Sequence, residues 1–252
     1  MGSAERLRTI TEAVRAAGTV GVADLAELTG ASEMTIRRDL EALAAQGVLE
    51  RYRGGARSLL LRGEEPPFAL RTQNGVEAKR RIAAEVAALI GDGESVVLDS
   101  GTTCLEVARA FEHRRLTVMP LSLHAVNALT AAPQVSLLVP GGRPRPGELA
   151  LTGPLAEQSI ASLRFDTAVI GCCGLNAAHG LTAYDLEEAT LKRAAIASAR
   201  RVIAVADGAK LHRTALALVA PAAALHVVVT DEDAPREETD ALAAAGVTVH
   251  RA

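Results

Sequence analysis

From about residue 78 to the end, short apolar runs alternate with helical patterns, and that alternation restricts the fold more than any other feature of the chain. Ser95–Leu98, Leu116–Met119, Val135–Val139, Thr167–Ile170, Val202–Ala206, His226–Thr230 and Val247–His250 read as strands, and helical periodicity covers 77–90, 103–112, 122–131, 186–199 and 235–245. Strands that are apolar throughout must be buried on both faces, so the pattern predicts a mostly parallel sheet sandwiched between helices. Aromatic residues make up only 2% of the 252 residues, so the core must be built from Ala, Val, Leu and Ile.

The first 58 residues follow a different grammar. Leu7, Ile10 and Val14 mark one face of a helix over 3–17, which Gly18 ends. Thr19–Val22 is short and extended. A second helix over 23–29 closes at Gly30, and Ser32 is an N-cap for a third over 33–46, ending at Gly47. Val48–Tyr52 and Arg57–Leu61 then read as two strands joined by Gly54-Gly55. Residues 59–77, with Gly63, Pro66 and Pro67, read as a linker, which leaves 78–252 as the larger domain. If a signal passes between the two parts, the stretch 62–77, with Arg71 and Asn74, is where it is expected.

Three helices followed by a two-stranded ribbon suit a groove reader. In the third helix Ile36, Leu40 and Leu43 fall on one stripe, while Met34 and Arg38 point away, with Thr35 and Arg37 on the flanks. Arg pairs bidentately with guanine in a major groove, and Thr or Met meets methyl groups. Arg51, Arg53 and Arg57 flank Gly54 and Gly55, so the ribbon offers guanidinium groups to phosphates or a minor groove. The plainer alternative is that Arg37 and Arg38 only solvate the helix beside Glu33 and Glu41. Asp39 is assigned to structure, holding an Arg or a cap. The formal net charge of −3 excludes binding to nucleic acid by the whole surface, so contact must be local.

In the larger domain the most informative stretch is Asp99-Ser100-Gly101-Thr102-Thr103, between a strand and a helix. Backbone N–H groups of such a turn can cradle a phosphate while hydroxyls add donors. A tight connection with Ser/Thr capping explains the same residues. Gly141, Gly142 and Arg143 follow another strand, where open α/β sheets bind ligands. Asp166, Glu188 with Glu187, and Asp207 with Lys210 also lie near strand or helix ends. The chain has only three lysines, Lys79, Lys192 and Lys210, in a sequence otherwise committed to Arg. They are candidates for positions needing a compact ammonium, Lys79 and Lys210 ahead of Lys192.

Three cysteines, two of them adjacent and none in a C-x-x-C pair, predict neither disulfides nor zinc. Cys104 at a helix start could favour a thiolate, but buried packing explains it too. His124, His179 and His212 have no metal-ligand spacing. No metal or cofactor is predicted. No apolar run approaches the roughly 18 residues of a spanning helix and no signal peptide is read, so a reduced, cytoplasmic protein is expected.

Ala31-Ser32-Glu33-Met34-Thr35-Ile36-Arg37-Arg38-Asp39-Leu40, followed by Gly47-Val48-Leu49-Glu50-Arg51-Tyr52-Arg53-Gly54-Gly55-Ala56, resembles the N-terminal domain of DeoR-family transcriptional regulators, with Ala31 where the family has Val. The larger part resembles the DeoR sensor domain, similar in plan to ribose-5-phosphate isomerase. The resemblance implies an α/β fold: a winged helix-turn-helix and a Rossmann-like, isomerase-like sensor. It implies that Lys79 and the turn Asp99–Thr103 bind phosphate and that Asp166, Glu188 and Lys210 face the sugar. Pro120-Leu121-Ser122 departs from the family's T-N-S and removes an amide and a hydroxyl. The implied partners are operator double-stranded DNA and a phosphorylated sugar, with the chain acting as a homodimer or homotetramer and without a membrane. The competing function is a sugar-phosphate isomerase fused to a DNA-binding domain; a DNA-bending protein would leave the larger domain without a purpose.

Overall fold

In the computed structural model, which describes residues 2–45, 48–58 and 65–252, glycines at positive φ punctuate the first helices. Helix α1 (Ser3–Ala17) stops at Gly18 and α2 (Val22–Thr29) at Gly30, with strand β1 (Thr19–Gly21) between them. Helix α3 (Glu33–Ala45) starts where the Ser32 hydroxyl accepts the Thr35 backbone N–H at 3.2 Å. Strands β2 (Leu49–Tyr52) and β3 (Gly55–Ser58) form an antiparallel sheet with β1 in the order β1-β3-β2. Ile10, Val14, Leu25, Ile36, Leu40, Leu43 and Leu49 fill the core beneath. A fourth helix, α4 (Phe68–Gln73), adds Leu70 to that core, so part of the expected linker is packed structure. The earlier part of that linker, 59–64, the end of the predicted second ribbon strand at Leu61, and Gly47 lie outside the described residues. Met1–Asn74 form one compact unit and Gly75–Ala252 another.

The second unit is built on a seven-stranded, wholly parallel sheet. Its elements run α5 (Val76–Leu89), β4 (Ser95–Leu98), α6 (Thr102–Ala110), β5 (Leu116–Pro120), α7 (Leu123–Leu129) and β6 (Val135–Leu137). A hairpin of β7 (Arg143–Pro144) and β8 (Leu151–Thr152) precedes α8 (Pro154–Ala161). Then come β9 (Phe165–Gly171), β10 (Gly174–Asn176), β11 (Gly180–Ala183), α9 (Leu186–Ala197), β12 (Ala199–Val205), β13 (Ala217–Ala220), β14 (Val227–Thr230), α10 (Arg236–Ala244) and β15 (Thr248–Arg251). Strands β10, β11 and β13 form a small antiparallel sheet of their own.

Alternation along β4 shows the layering. Val96 and Leu98 enter a core with Ile82 and Val86 of α5, Val107 of α6 and Phe111 that follows it, and Leu129 of α7. Val97 points into the opposite core, with Ile160 of α8, Leu191 of α9 and Leu181 of β11. The sheet order β15-β14-β12-β9-β4-β5-β6 fixes where a ligand belongs. From β4 the chain winds outward through β5 to β6, and from β9 it winds the other way through β12 and β14 to β15. The winding reverses between β4 and β9, and crevices of open α/β sheets form outside the carboxyl ends of such a strand pair.

Candidate functional site

On the first unit, α3 turns one face inward and the other to solvent. Ile36, Leu40 and Leu43 are buried, while Ser32, Met34, Arg37 and Arg38 are exposed and Thr35 is half-buried. Asp39 is buried and anchors α3 to α1, accepting from Arg6 Nε at 2.6 Å and Nη2 at 3.3 Å. The face that remains is cationic. Arg37 pairs with Glu33 at 2.7 Å, Arg51 with Glu41 at 2.6 Å and Arg57 with Glu50 at 2.5 Å, all at the surface. Exposed pairs of this kind contribute about 0–1 kcal/mol, so exchanging them for phosphates costs little. Among the described residues Arg38 and Arg53 have no ion-pair partner. Gly54 turns the ribbon at φ +97°, and at Gly55 a Cβ would lie 2.4 Å from the Val20 carbonyl oxygen and 2.5 Å from Tyr52 Oη. Only glycine lets β3 close against β1 there, so Gly55 shapes the wing.

On the second unit the carboxyl ends of β4 and β9 meet at the winding reversal. Asp99, 1% exposed, accepts the Gly171 backbone N–H at 2.8 Å through Oδ2 and is ion-paired through the same oxygen with Lys192. Lys192 Nζ also donates to the Gly171 carbonyl at 3.1 Å. Burial opposes the Lys192 charge, but Asp99, Cys173 and Glu188 outweigh it and keep the ammonium protonated. Gly171 is tightly packed, because a Cβ would stand 3.0 Å from the Ser100 carbonyl oxygen.

Ser100, Thr102 and Thr103 are 4–5% exposed, and among the described residues none of their hydroxyls has a hydrogen-bond partner. They do not figure among the fully enclosed unsatisfied atoms, so each hydroxyl oxygen keeps some contact with solvent. Gly101 caps α6 at φ +101°, with nothing within 4 Å of the position a Cβ would take. The first backbone N–H groups of α6 therefore sit beside three waiting hydroxyls and an empty approach, as an anion site requires.

The remaining predicted residues distribute unevenly. Glu188, on the first turn of α9, is buried, and burial raises its carboxyl while Lys192 and Arg145 oppose that shift. Lys210 lies in the short turn after β12 and donates to the Cys172 carbonyl at 2.9 Å, beside the end of β9. Lys79 is buried on α5, the helix that packs against α6. Arg143 is largely exposed, 3.6 Å from Glu187. Gly142 is a packing glycine, with a Cβ position 2.7 Å from the Thr152 carbonyl oxygen, and the Gly141 N–H points at Ser159 Oγ at 3.3 Å.

Asp166 needs a correction. It lies at the amino end of β9, accepting from the Ser95 N–H at 2.8 Å and Ser95 Oγ at 2.7 Å, and is ion-paired with Arg200. Those hydrogen bonds hold its carboxyl below the usual range. Strand β9 separates it from Gly171 by roughly 16 Å, on the wrong rim of the sheet for a ligand at the turn. Its role is to tie the starts of β4 and β9 together.

The sequence does not single out Arg145, and it ranks Lys192 below Lys79 and Lys210. Arg145 falls in a Pro/Gly-rich stretch that reads as turn, yet its Nε and Nη2 both donate to Glu188 Oε1, at 2.9 and 2.6 Å. The available signal for Lys192 was its scarcity and its i+4 spacing from Glu188. Cys104 is 1% exposed, and burial first, then Asp99, raises its thiol well above the ordinary value, which opposes a thiolate. Burial likewise pushes Cys172 up to about 12. Among the described residues no group of three His, Cys, Asp or Glu could hold a metal, and no helix is long and apolar enough to cross a membrane.

A helix-turn-helix with a basic wing, joined to a parallel α/β unit whose sheet reverses its winding between β4 and β9, defines a DNA-binding regulator with a sensor domain. Residues 6–60 match the DeoR-like helix-turn-helix domain and residues 74–232 match the DeoR C terminal sensor domain. The chain belongs to the DeoR family of transcriptional regulators. It is 34% identical to the putative aga operon transcriptional repressor of Escherichia coli O157:H7 over 98% of this chain and 93% of that one. It is 31% identical to the glycerol-3-phosphate regulon repressor of E. coli K12 over 93% of each. Among solved structures, ribose 5-phosphate isomerase A from Methanocaldococcus jannaschii aligns with a TM-score of 0.41 and 15% identity, over 54% of this chain and 55% of that one.

Proposed function

We propose that this protein represses a carbohydrate operon by gripping its operator through α3 and the β2–β3 wing, and that a phosphorylated sugar at the Asp99–Thr103 turn controls the grip. The reading rests chiefly on the three unpartnered hydroxyls and uncapped N–H groups at the sheet's winding reversal, in a chain whose other unit presents Arg37 and Arg38 on an exposed helix face. A phosphate dianion would satisfy those donors, and Glu187 and Glu188 are placed to accept from a polyol. Relatives named for the aga operon and the glycerol-3-phosphate regulon support a carbohydrate target. We take the operator to be a pseudo-palindrome bound by a homodimer or homotetramer, since two-fold protein symmetry reads two half-sites. Only a ligand that binds the two conformations unequally can switch the affinity.

Thermal shift against a panel of sugar phosphates tests the sensor. A ligand at about 100 times its dissociation constant adds roughly 2.7 kcal/mol, and a panel without any shift rejects the reading. The isomerase alternative loses its strongest acid, because Asp166 stands on the opposite rim. We therefore favour sensing without turnover, and conversion of ribose 5-phosphate by the purified chain would overturn that choice.

A further inference from the structure

We infer that Lys192 is the positioning residue that makes the Asp99–Thr103 turn receptive to a phosphate, by cancelling the buried Asp99 charge at its edge without itself touching the ligand. This inference rests on the reading of the turn as a phosphate site given above.

The reasoning starts from a conflict in the turn. Its N–H groups and hydroxyls favour an anion, yet it opens with Asp99, whose carboxylate is two residues from the Gly101 cap of α6. A phosphate dianion beside an uncompensated carboxylate is repelled, and between partly screened charges a few ångströms apart the penalty is roughly tenfold in affinity or more. The structure resolves the conflict with a cation that the ligand does not have to bring. Lys192 and Asp99 are 3% and 1% exposed and share Asp99 Oδ2 as their contact.

The geometry also keeps Lys192 from being a direct ligand group. Asp99 takes the Gly171 N–H at 2.8 Å while Lys192 donates to the carbonyl of the same residue at 3.1 Å. The pair thus brackets one residue of β9 and pins the carboxyl ends of β4 and β9 together across the crevice. One of the ammonium's three donors goes to Asp99 and one to Gly171, and Glu188 stands one turn earlier on the same helix. Two of its three donors are committed to the protein, and at 3% exposure the ammonium offers little open surface to a ligand. Lys210 is placed differently, donating to the Cys172 carbonyl at 2.9 Å.

A purely structural pair and a charge-compensating pair predict different orders of affinity. The probe is inorganic phosphate, measured by calorimetric titration on the full chain and on Asp99→Asn, Lys192→Met and the double variant, with urea unfolding of each to confirm a folded population. Compensation predicts that Asp99→Asn binds phosphate roughly tenfold tighter than the parent, because the Lys192 charge, still supported by Glu188, is no longer spent. Lys192→Met should bind roughly tenfold weaker, and the double variant should return to near the parent. A structural role alone does not yield the tighter Asp99→Asn, and the double variant measured against Asp99→Asn isolates the Lys192 charge even if Lys192→Met alone does not fold.

The inference is overturned if Asp99→Asn binds no tighter than the parent, or if a folded double variant stays as weak as Lys192→Met. Thr102→Ala separates this failure from that of the underlying reading. If the parent binds phosphate, Thr102→Ala abolishes it and the charge order is absent, only the role of Lys192 is wrong. If the parent binds no phosphate, the turn is not an anion site and both readings fall.

Discussion

Arg145 closes on Glu188 with two donors to one carboxylate oxygen, Nε at 2.9 Å and Nη2 at 2.6 Å, and so ties the β7–β8 hairpin to the first turn of α9. Thr152 Oγ1 reinforces the tie by donating to Glu187 at 2.8 Å. Removing Arg145 leaves Glu188, 5% exposed, with a buried charge and less to balance it. Breaking a fully buried pair costs about 3–5 kcal/mol, and since the Arg145 side chain is 29% exposed we expect about 2 kcal/mol for Arg145→Ala near neutral pH. The pH dependence has a definite sign. Burial raises the Glu188 carboxyl in the folded state, so folding takes up a proton and stability falls as pH rises from the ordinary carboxylate range through the raised value. Without Arg145 that rise is larger, so urea unfolding should show a smaller loss at pH 5 than at pH 8. An equal loss at both would remove the electrostatic account.

For DNA binding, Arg38 and Arg53 separate two kinds of contact because neither has an ion-pair partner among the described residues. Arg38 lies on the exposed face of α3 and Arg53 on the wing, next to the Gly54 turn. Arg38→Ala should cost about 1–3 kcal/mol on the operator and relax the base preference at one position. Arg53→Ala should weaken all duplexes alike and lower the slope of log affinity against log salt by about 0.9, one phosphate's share. Fluorescence anisotropy over a potassium chloride series reads both. A salt slope unchanged in Arg53→Ala would take the wing off the backbone.

The sensor predicts a clean separation of functions. Thr102 is 4% exposed, its hydroxyl has no hydrogen-bond partner among the described residues and it heads α6, so Thr102→Ala removes a donor without breaking a hydrogen bond among them. A hydrogen bond to a charged group contributes about 1.5–3 kcal/mol, so effector affinity should fall about ten- to a hundredfold. Operator affinity without effector should stay at the parent value in the same anisotropy assay. Loss of both together would mean that Thr102 holds the fold rather than a ligand.

How much of this was legible in the sequence depended on whether a residue's role is local. The strands of the parallel sheet, and the helices flanking them except α8, follow from unbroken apolar runs and 3.6-residue periodicity, and α1 through β3 follow from caps and glycine stops. The small sheet of β10, β11 and β13 was not legible, because three- and four-residue strands such as Gly174–Asn176 carry too little pattern to separate from turn. Helix α4 was hidden by Pro66 and Pro67, which read as linker although Pro67 is its N-cap. Site residues behaved alike. Asp99–Thr103 stood out as one contiguous turn, whereas Lys192 and Asp99 are 93 residues apart and Arg145 and Glu188 are 43 apart, so only the folded chain pairs them. The error over Asp166 has the same origin. A residue that begins a strand and one that ends it look equally terminal in sequence, but a parallel sheet places them on opposite rims.

Thr230 ends β14 with its side chain fully enclosed and its Oγ1 without a hydrogen-bond partner. A buried hydroxyl in that state has lost water and gained nothing, which costs about 1–3 kcal/mol. Valine has nearly the same shape, keeps the β-branch that suits a strand and replaces the hydroxyl by a methyl group. Thr230→Val should therefore stabilise the protein by about 1 kcal/mol, the low end of that cost, because the backbone bonds from β14 to β15 are untouched. The reading is a rightward shift of the urea midpoint at constant slope, since surface exposure on unfolding does not change. A leftward shift would mean that the hydroxyl is satisfied in solution by water, and would place an ordered solvent molecule at the carboxyl end of β14.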